Sequence, residues 1–240
     1  MSYFAKSWKF PAQLLTPTTL DDWVRECEYH KQFLIGEDEA IEYALKNSTE
    51  HGLPDVSVTP AQGKLMKFIA ESIGAKRILE VGTLGGYSAI FFARALPPGG
   101  QMITLELSQE FAKVAAQNIA HAGLADKVKI IVGPAGDSMK AMHPEELFDL
   151  VFVDADKKGN PTYYTEARRL TRKGGVIIVD NVFRNCRVSD MSIKDAADLP
   201  DLEGIRTLLQ MVKDDPGVDA TSIPTAGEKG YDGFMYIKVL

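Results

Sequence analysis

Two short segments carry the residue types for metal and proton chemistry. Asp154-Ala155-Asp156-Lys157 ends the apolar run FDLVFV, and Asp180-Asn181 ends the run VIIV, 26 residues after Asp154. Asp154, Asp180 and Asn181 together offer three oxygen donors. Such a set suits a hard divalent cation, Mg²⁺ first, with Ca²⁺ or Mn²⁺ as alternatives. No His/Cys group has zinc spacing. Acids after strands also cap the helices that follow, and Asp156 alone reads equally well that way. Two neighbouring acids repel, however, unless a cation joins them.

A second constellation begins at Glu80-Val81-Gly82-Thr83-Leu84-Gly85-Gly86 and is completed by Glu106, 24 residues beyond Gly82. Glycines at such a turn admit close backbone approach by a ligand. An acid about 20 residues further on accepts hydrogen bonds from ribose hydroxyls. Glycines alone could merely close the turn; the spacing of Glu106 argues for an adenosine-type ligand. Leu84 stands where a dinucleotide pocket needs its second glycine for the pyrophosphate. S-adenosylmethionine has no pyrophosphate, and an acid at Glu80 is expected to face its cationic groups.

These residues need a scaffold that brings strand ends together. Residues 19–30, 36–52 and 59–74 read as helices, with Thr19 and Thr59-Pro60 as starts and Gly52 and Gly74 as stops. The pattern then alternates between short apolar strands (76–82, 101–107, 127–133, 148–156, 176–181) and helices (86–97, 108–123, 160–175), with a short helical or irregular stretch over 134–147. A helix over 201–217 and strands over 218–224 and 233–240 close the chain, joined by the hairpin-length GEKGYDG. The expected fold is α/β: a Rossmann-like, open, mostly parallel seven-stranded sheet with an antiparallel edge strand, helices on both faces and extra N-terminal helices. Ligands in such sheets sit at the carboxyl ends of the strands, where both constellations fall.

The 240 residues fit one domain, with 1–58 as an N-terminal helical extension and 59–240 as a ligand-binding core. The apolar share is 45% and the charged share 25%, as in globular proteins, and the formal net charge of −6 argues against a nucleic-acid partner. Cys27 and Cys186 cannot form a disulfide framework and fit a reducing compartment. No run is long enough to span a membrane, and the first residues lack the apolar stretch of a secretory signal. Residues 1–20 contain Lys6 and Lys9 but no acid. The cytoplasm is expected, with an organelle such as the mitochondrial matrix as the alternative. Trp8, Phe10 and Trp23 are expected to serve packing or subunit contacts, and the four histidines to be surface or helix-end residues.

Residues Thr59–Asn181 resemble the cation-dependent, S-adenosylmethionine-dependent O-methyltransferases of the caffeoyl-CoA and catechol type. The resemblance is carried by TPAQGKLM, ILEVGTLGGYSAI, ITLELSQE, VGPAGD, FDLVFVDADK and GGVIIVDN, with further similarity in DDPGVDATSIP and DGFMYIKV. It implies that Asp154, Asp180 and Asn181 hold the cation. It implies that Val58, Glu80, Gly82, Ser88, Glu106, Ala135 and Asp154 line the cofactor pocket, and that Lys157 is the general base. It also implies a homodimer and a small aromatic acceptor with vicinal hydroxyls. Two segments depart from the family pattern. Lys158-Gly159-Asn160-Pro161 shifts an expected Asn-Tyr pair, and Arg184 in Phe183-Arg184-Asn185-Cys186 replaces an aromatic at the acceptor entrance. Arg184 suggests an acceptor outside the usual set, acidic or free phenolic. A nicotinamide-dependent oxidoreductase and a catalytically silent binding homologue are the competing readings.

Overall fold

The computed structural model describes residues 16–195 and 197–240. Trp8, Phe10 and the acid-free start of the chain lie outside them. The elements run α1 (Leu20–Leu34), α2 (Glu39–Glu50), α3 (Pro60–Ser72), β1 (Arg77–Val81), α4 (Tyr87–Ala95), β2 (Gln101–Glu106), α5 (Gln109–His121), β3 (Val128–Val132), α6 (Ala135–Lys140) and β4 (Phe148–Val153). A 3-10 turn (Lys157–Gly159) then leads into α7 (Asn160–Leu170), β5 (Thr171–Val179), α8 (Leu199–Asp214), β6 (Val218–Gly227) and β7 (Gly230–Val239). The helix starts follow local chemistry. Thr19 and Asp22 form a capping box, and Asp38, Thr59 and Ser108 each accept a first-turn N–H of α2, α3 and α5.

The seven strands form one sheet in the order β3-β2-β1-β4-β5-β7-β6. β1 to β5 are parallel, and the antiparallel pairings lie at one edge, where β7 is inserted between β5 and β6. Strand residues alternate between two cores, as the two-residue period of a pleat requires. Ile78, Met102, Leu150, Phe152 and Ile178 meet Met66, Ile90, Phe92 and Ile119 on one face. Leu79, Leu105, Val151, Val153 and Ile177 meet Met139, Tyr163, Ala167, Ile205 and Leu208 on the other.

The largest shift of an expected boundary lies between α7 and β5. The helix read over 160–175 ends at Leu170, and Thr171–Gly175 belong to β5. Thr171 pairs with Phe148 while Val176 pairs with Leu150, so Arg172–Gly175 bulge out opposite Asp149. Tertiary bonds override the helical pattern here. Asp149 accepts the N–H groups of Lys76 and Arg77 and holds the Arg172 guanidinium.

β1 carries one carboxyl inward. Glu80 is fully buried; its carboxyl accepts Ser88 Oγ and Thr104 Oγ1, each at 2.6 Å. Burial, which outweighs those bonds, pushes its pKa up from 4.5 to about 8. Between those values the native state binds more protons than the unfolded chain, so Glu80 lowers stability progressively as pH rises through that window. Glu80→Gln keeps the shape and removes the ionisation. In urea unfolding without ligands, the variant gains on the wild type by on the order of 3 kcal/mol between pH 5 and pH 8. Parallel stability curves for the two proteins would contradict this account of Glu80.

Candidate active site

The sheet ladder continues one residue past the ends of four strands. Gly82 N–H donates to Leu105 O, Gly133 N–H to Glu106 O, Asp154 N–H to Val81 O and Asp180 N–H to Val153 O. The ladder thus aligns the candidate residues along one sheet edge before any side chain is considered. Gly82 sits at φ +100°, and a Cβ there would overlap the carbonyl oxygen of Asp154. The ends of β1 and β4 can approach this closely because position 82 has no side chain.

Around this edge lies a cleft of 790 Å³. Val58, Gly82, Ser88, Glu106, Ala135, Asp154, Lys157 and Asn181 all line it. The Glu106 carboxylate accepts Leu84 N–H at 2.8 Å and Ser108 N–H at 2.9 Å, one on each oxygen. Each oxygen keeps a free lone pair toward the cleft. Glu80 is fully buried and lies behind Ser88, which lines the cleft. Its side chain points into the core because strand residues alternate, so it reaches the cleft only through Ser88.

Lys157 is 4% exposed, and its Nζ lies 2.8 Å from Asp154 Oδ1. The turn that carries it is fixed from outside. A Cβ at Gly204 of α8 would overlap the Lys157 carbonyl, and Lys158 N–H donates to Asp201 at 3.0 Å. Tyr163 OH donates to Asp156 at 2.6 Å, so Asp156 serves this turn. Asp180 is also 4% exposed. Its oxygens accept Asn181 N–H at 2.9 Å and Gln62 Nε2 at 2.8 Å. Burial first, and the Asp154 charge second, push the Asp180 pKa up to about 7.

Asn181 adopts φ 56°, a left-handed conformation asparagine tolerates better than most residues. Arg184, Asn185 and Cys186 follow in the same region. The hairpin of β6 and β7 holds this loop: Val182 N–H donates to Gly233 O, and Asp232 accepts the N–H groups of Phe183 and Arg184. Arg184 lines the cleft, and its guanidinium reaches only a 4.0 Å contact with Asp201.

A second cavity, of 690 Å³, lies between α1, the start of α3 and the β6–β7 hairpin, and it is lined by both Asp180 and Asn181. Asn181 thus lines both spaces. Asp154, Asp180 and Asn181 present two carboxylates and one amide. Among the described residues no cluster of three His, Cys, Asp or Glu side chains forms. The donor set is all oxygen, one carboxylate is buried, and its neighbour has the same charge. A hard divalent cation fits these conditions. Sequence reasoning missed Gln62, Asp201 and Gly204; the first lies within TPAQGKLM, and the other two had no local signal. It also missed Tyr87, which lines the cleft with its hydroxyl buried and without a hydrogen-bond partner among the described residues. His51 follows α2 and His121 ends α5, stacked on Tyr43 at 3.7 Å, whereas His30 lies within α1 and lines the second cavity.

Comparison with known proteins identifies this architecture. A family model described as O-methyltransferase matches residues 33–233. A catechol O-methyltransferase of Mycobacterium tuberculosis is 45% identical over 201 residues, covering 84% of this chain and 89% of that protein. One from Niastella koreensis is 41% identical over 207 residues, covering 85% and 92%. The crystal structure of a Bacillus cereus O-methyltransferase in complex with S-adenosylhomocysteine superposes with a TM-score of 0.89 at 40% identity, covering 92% of this chain and all of that one. The O-methyltransferase TomG of Streptomyces achromogenes, in complex with S-adenosylmethionine, gives 0.87 at 41% identity, covering 93% and 99%. The oxidoreductase reading falls away, and the chain belongs to the S-adenosylmethionine-dependent O-methyltransferase family.

Proposed function

We propose that this chain methylates one hydroxyl of a vicinal dihydroxy aromatic, with a divalent cation, Mg²⁺ first, held by Asp154, Asp180 and Asn181. The observation that carries the reading is that Asn181 lines both cavities, with Asp154 and Lys157 on the one and Asp180 on the other. In this reading the donor occupies the cleft and the acceptor the second cavity. The names of the Mycobacterium and Niastella relatives support a catechol-type acceptor.

When bound, the donor supplies a methyl group on a sulfonium, and the cation supplies a charge that favours an ionised hydroxyl and two oxygens over one. Glu106 offers its free lone pairs to ribose hydroxyls. Ser88, whose hydroxyl donates to Glu80, turns its oxygen to the cationic end of the donor. Val58, Gly82 and Ala135 form the rest of the wall. A phenol has a pKa near 10 and is a weak nucleophile at neutral pH. As the neutral amine, Lys157 Nζ, positioned beside Asp154 and by α8 behind its backbone, takes the proton that leaves the attacking hydroxyl and becomes the ammonium. Gln62 holds Asp180 in one rotamer. Transfer then needs only alignment, which contributes up to about 7–11 kcal/mol, and no covalent enzyme intermediate.

The exposed Tyr29 and Phe33 of α1 support a homodimer in which residues 1–58 shape the acceptor side. Cys27 and Cys186 are both free, which supports a reducing compartment, the cytoplasm first. No helix among the described residues is long and apolar enough to cross a membrane.

Two variants separate the roles. Lys157→Met is expected to lower kcat toward a catechol by about 10²–10⁴-fold while donor affinity stays within about threefold. Glu106→Gln places an amide N–H against Leu84 or Ser108 and is expected to weaken donor binding at least about tenfold, or 1.4 kcal/mol, by calorimetry. If Lys157→Met retains kcat, or loses donor binding and kcat together, the proton-transfer role is wrong.

A further inference from the structure

Gly82, Thr83 and Leu84 line the donor cleft, but Gly85 and Gly86 do not. Those two glycines face the helices behind the turn. A Cβ at Gly85 would overlap Ser48 Oγ of α2. A Cβ at Gly86 would lie 3.2 Å from Ile119 and 3.3 Å from Ala115, both of α5. Positions 85 and 86 are therefore glycine to admit α2 and α5, not a ligand.

No residue of α2 lines either cavity, yet α2 brings the buried Asn47 into this junction. Asn118 of α5, fully buried, stands at its centre. The Asn118 Nδ2 donates to Gly85 O at 2.8 Å, to Ser48 Oγ at 3.2 Å and to Ala44 O at 3.3 Å. It has two hydrogens for three acceptors. One goes to Gly85 O, the closest, and the other is shared between the two groups of α2. Asn47 Nδ2 donates to Asn118 Oδ1 at 2.8 Å, which fixes the orientation of the Asn118 amide. α2 is itself seated by Asp38 on Arg94 of α4 and by Tyr43 stacked on His121.

Two leucines would fill the same space, and replacing both partners of a buried hydrogen bond by apolar groups is often nearly neutral for stability. What the amides add is direction. Gly85 O lies in a turn between Leu84 at φ 50° and Gly86 at φ 77°. A left-handed leucine persists only where its surroundings impose it. Asn118 holds the carbonyl of the Gly85–Gly86 peptide, and Thr83 O accepts the N–H of the same peptide at 2.8 Å. With that peptide fixed, Leu84 N–H points at Glu106 Oε2, 2.8 Å away.

We propose that Asn118 is a positioning residue for the methyl donor: together with α2 it sets the glycine turn, and through Leu84 the Glu106 carboxylate, in donor-binding shape before the donor arrives. Such preorganisation removes an ordering cost from binding. α2 is then the part of residues 1–58 that serves the donor side. The inference rests on the reading of the glycine turn and Glu106 as the donor wall.

The test uses the full chain, with S-adenosylhomocysteine as the probe. Asn118→Leu keeps the branched shape and removes the amide; it is expected to weaken binding about tenfold by calorimetry. Asn47→Leu combined with Asn118→Leu removes both amides, and is expected to regain most of the lost urea stability and none of the lost affinity. A role in stability alone predicts that the two return together. Amide hydrogen exchange reads the turn directly. Without ligand, the Leu84 and Gly86 N–H groups are expected to be protected in the wild type and to exchange at least about tenfold faster in Asn118→Leu, with protection restored by the probe. Asn47→Ala, a smaller change at the edge of the network, is expected to weaken binding about threefold and carries the test where Asn118→Leu does not fold. Wild-type affinity in the variant that carries the test, affinity that returns in the double variant, or turn amides unprotected in the wild type would overturn the inference. Glu106→Gln separates it from the reading beneath. If that variant binds the probe like the wild type, the donor wall is misplaced and both fail; if it alone binds weakly, only the positioning role fails.

Discussion

Asp154 and Asp180 leave the ends of adjacent parallel strands, and their backbone N–H groups extend the ladder to Val81 and Val153. The sheet thus forces two carboxylates into a partly desolvated space. Burial first, and the like charge of Asp154 second, push the Asp180 carboxyl above the usual carboxylate range. A fold that retains such a pair must offset it. Lys157 offsets part from one side at 2.8 Å, and Gln62 and the Asn181 N–H bind the Asp180 oxygens from the other. A divalent cation shared by both carboxylates would remove the remaining repulsion.

Much of the surrounding architecture serves to hold these groups close. Gly82 lets β1 press against the Asp154 carbonyl, and Gly204 lets α8 press against the Lys157 carbonyl. The hairpin of β6 and β7 fixes the left-handed loop after Asn181 through Asp232 and Gly233. Buried Asn118 ties α5 to α2 and to Gly85 in the glycine turn. These contacts join distant parts of the chain, so the site is rigid where charge is concentrated and open where ligands would enter.

How much of this was legible in the sequence depended on whether the cause was local. Strand alternation, the Gly82-to-Glu106 spacing and the acids after β4 and β5 follow from nearest-neighbour chemistry, and the structure gathers those residues on one edge. The burial of Glu80 between Ser88 and Thr104 depends on contacts 8 and 24 residues away, which its immediate neighbours do not encode. The end of α7 was missed because Asp149, more than 20 residues earlier, draws Arg172 away from the helix. Gln62, Asp201 and Gly204 act through contacts across 43 residues or more, which no local pattern encodes.

In the proposed reaction, the cation held by Asp154, Asp180 and Asn181 makes two adjacent hydroxyls necessary. The most direct measurement is methyl transfer from labelled S-adenosylmethionine to matched diphenols and monophenols, each with Mg²⁺ and with EDTA. Transfer to diphenols alone, abolished by EDTA and restored by Mg²⁺, is the expected result. Equal transfer to monophenols, or transfer indifferent to EDTA, would contradict it.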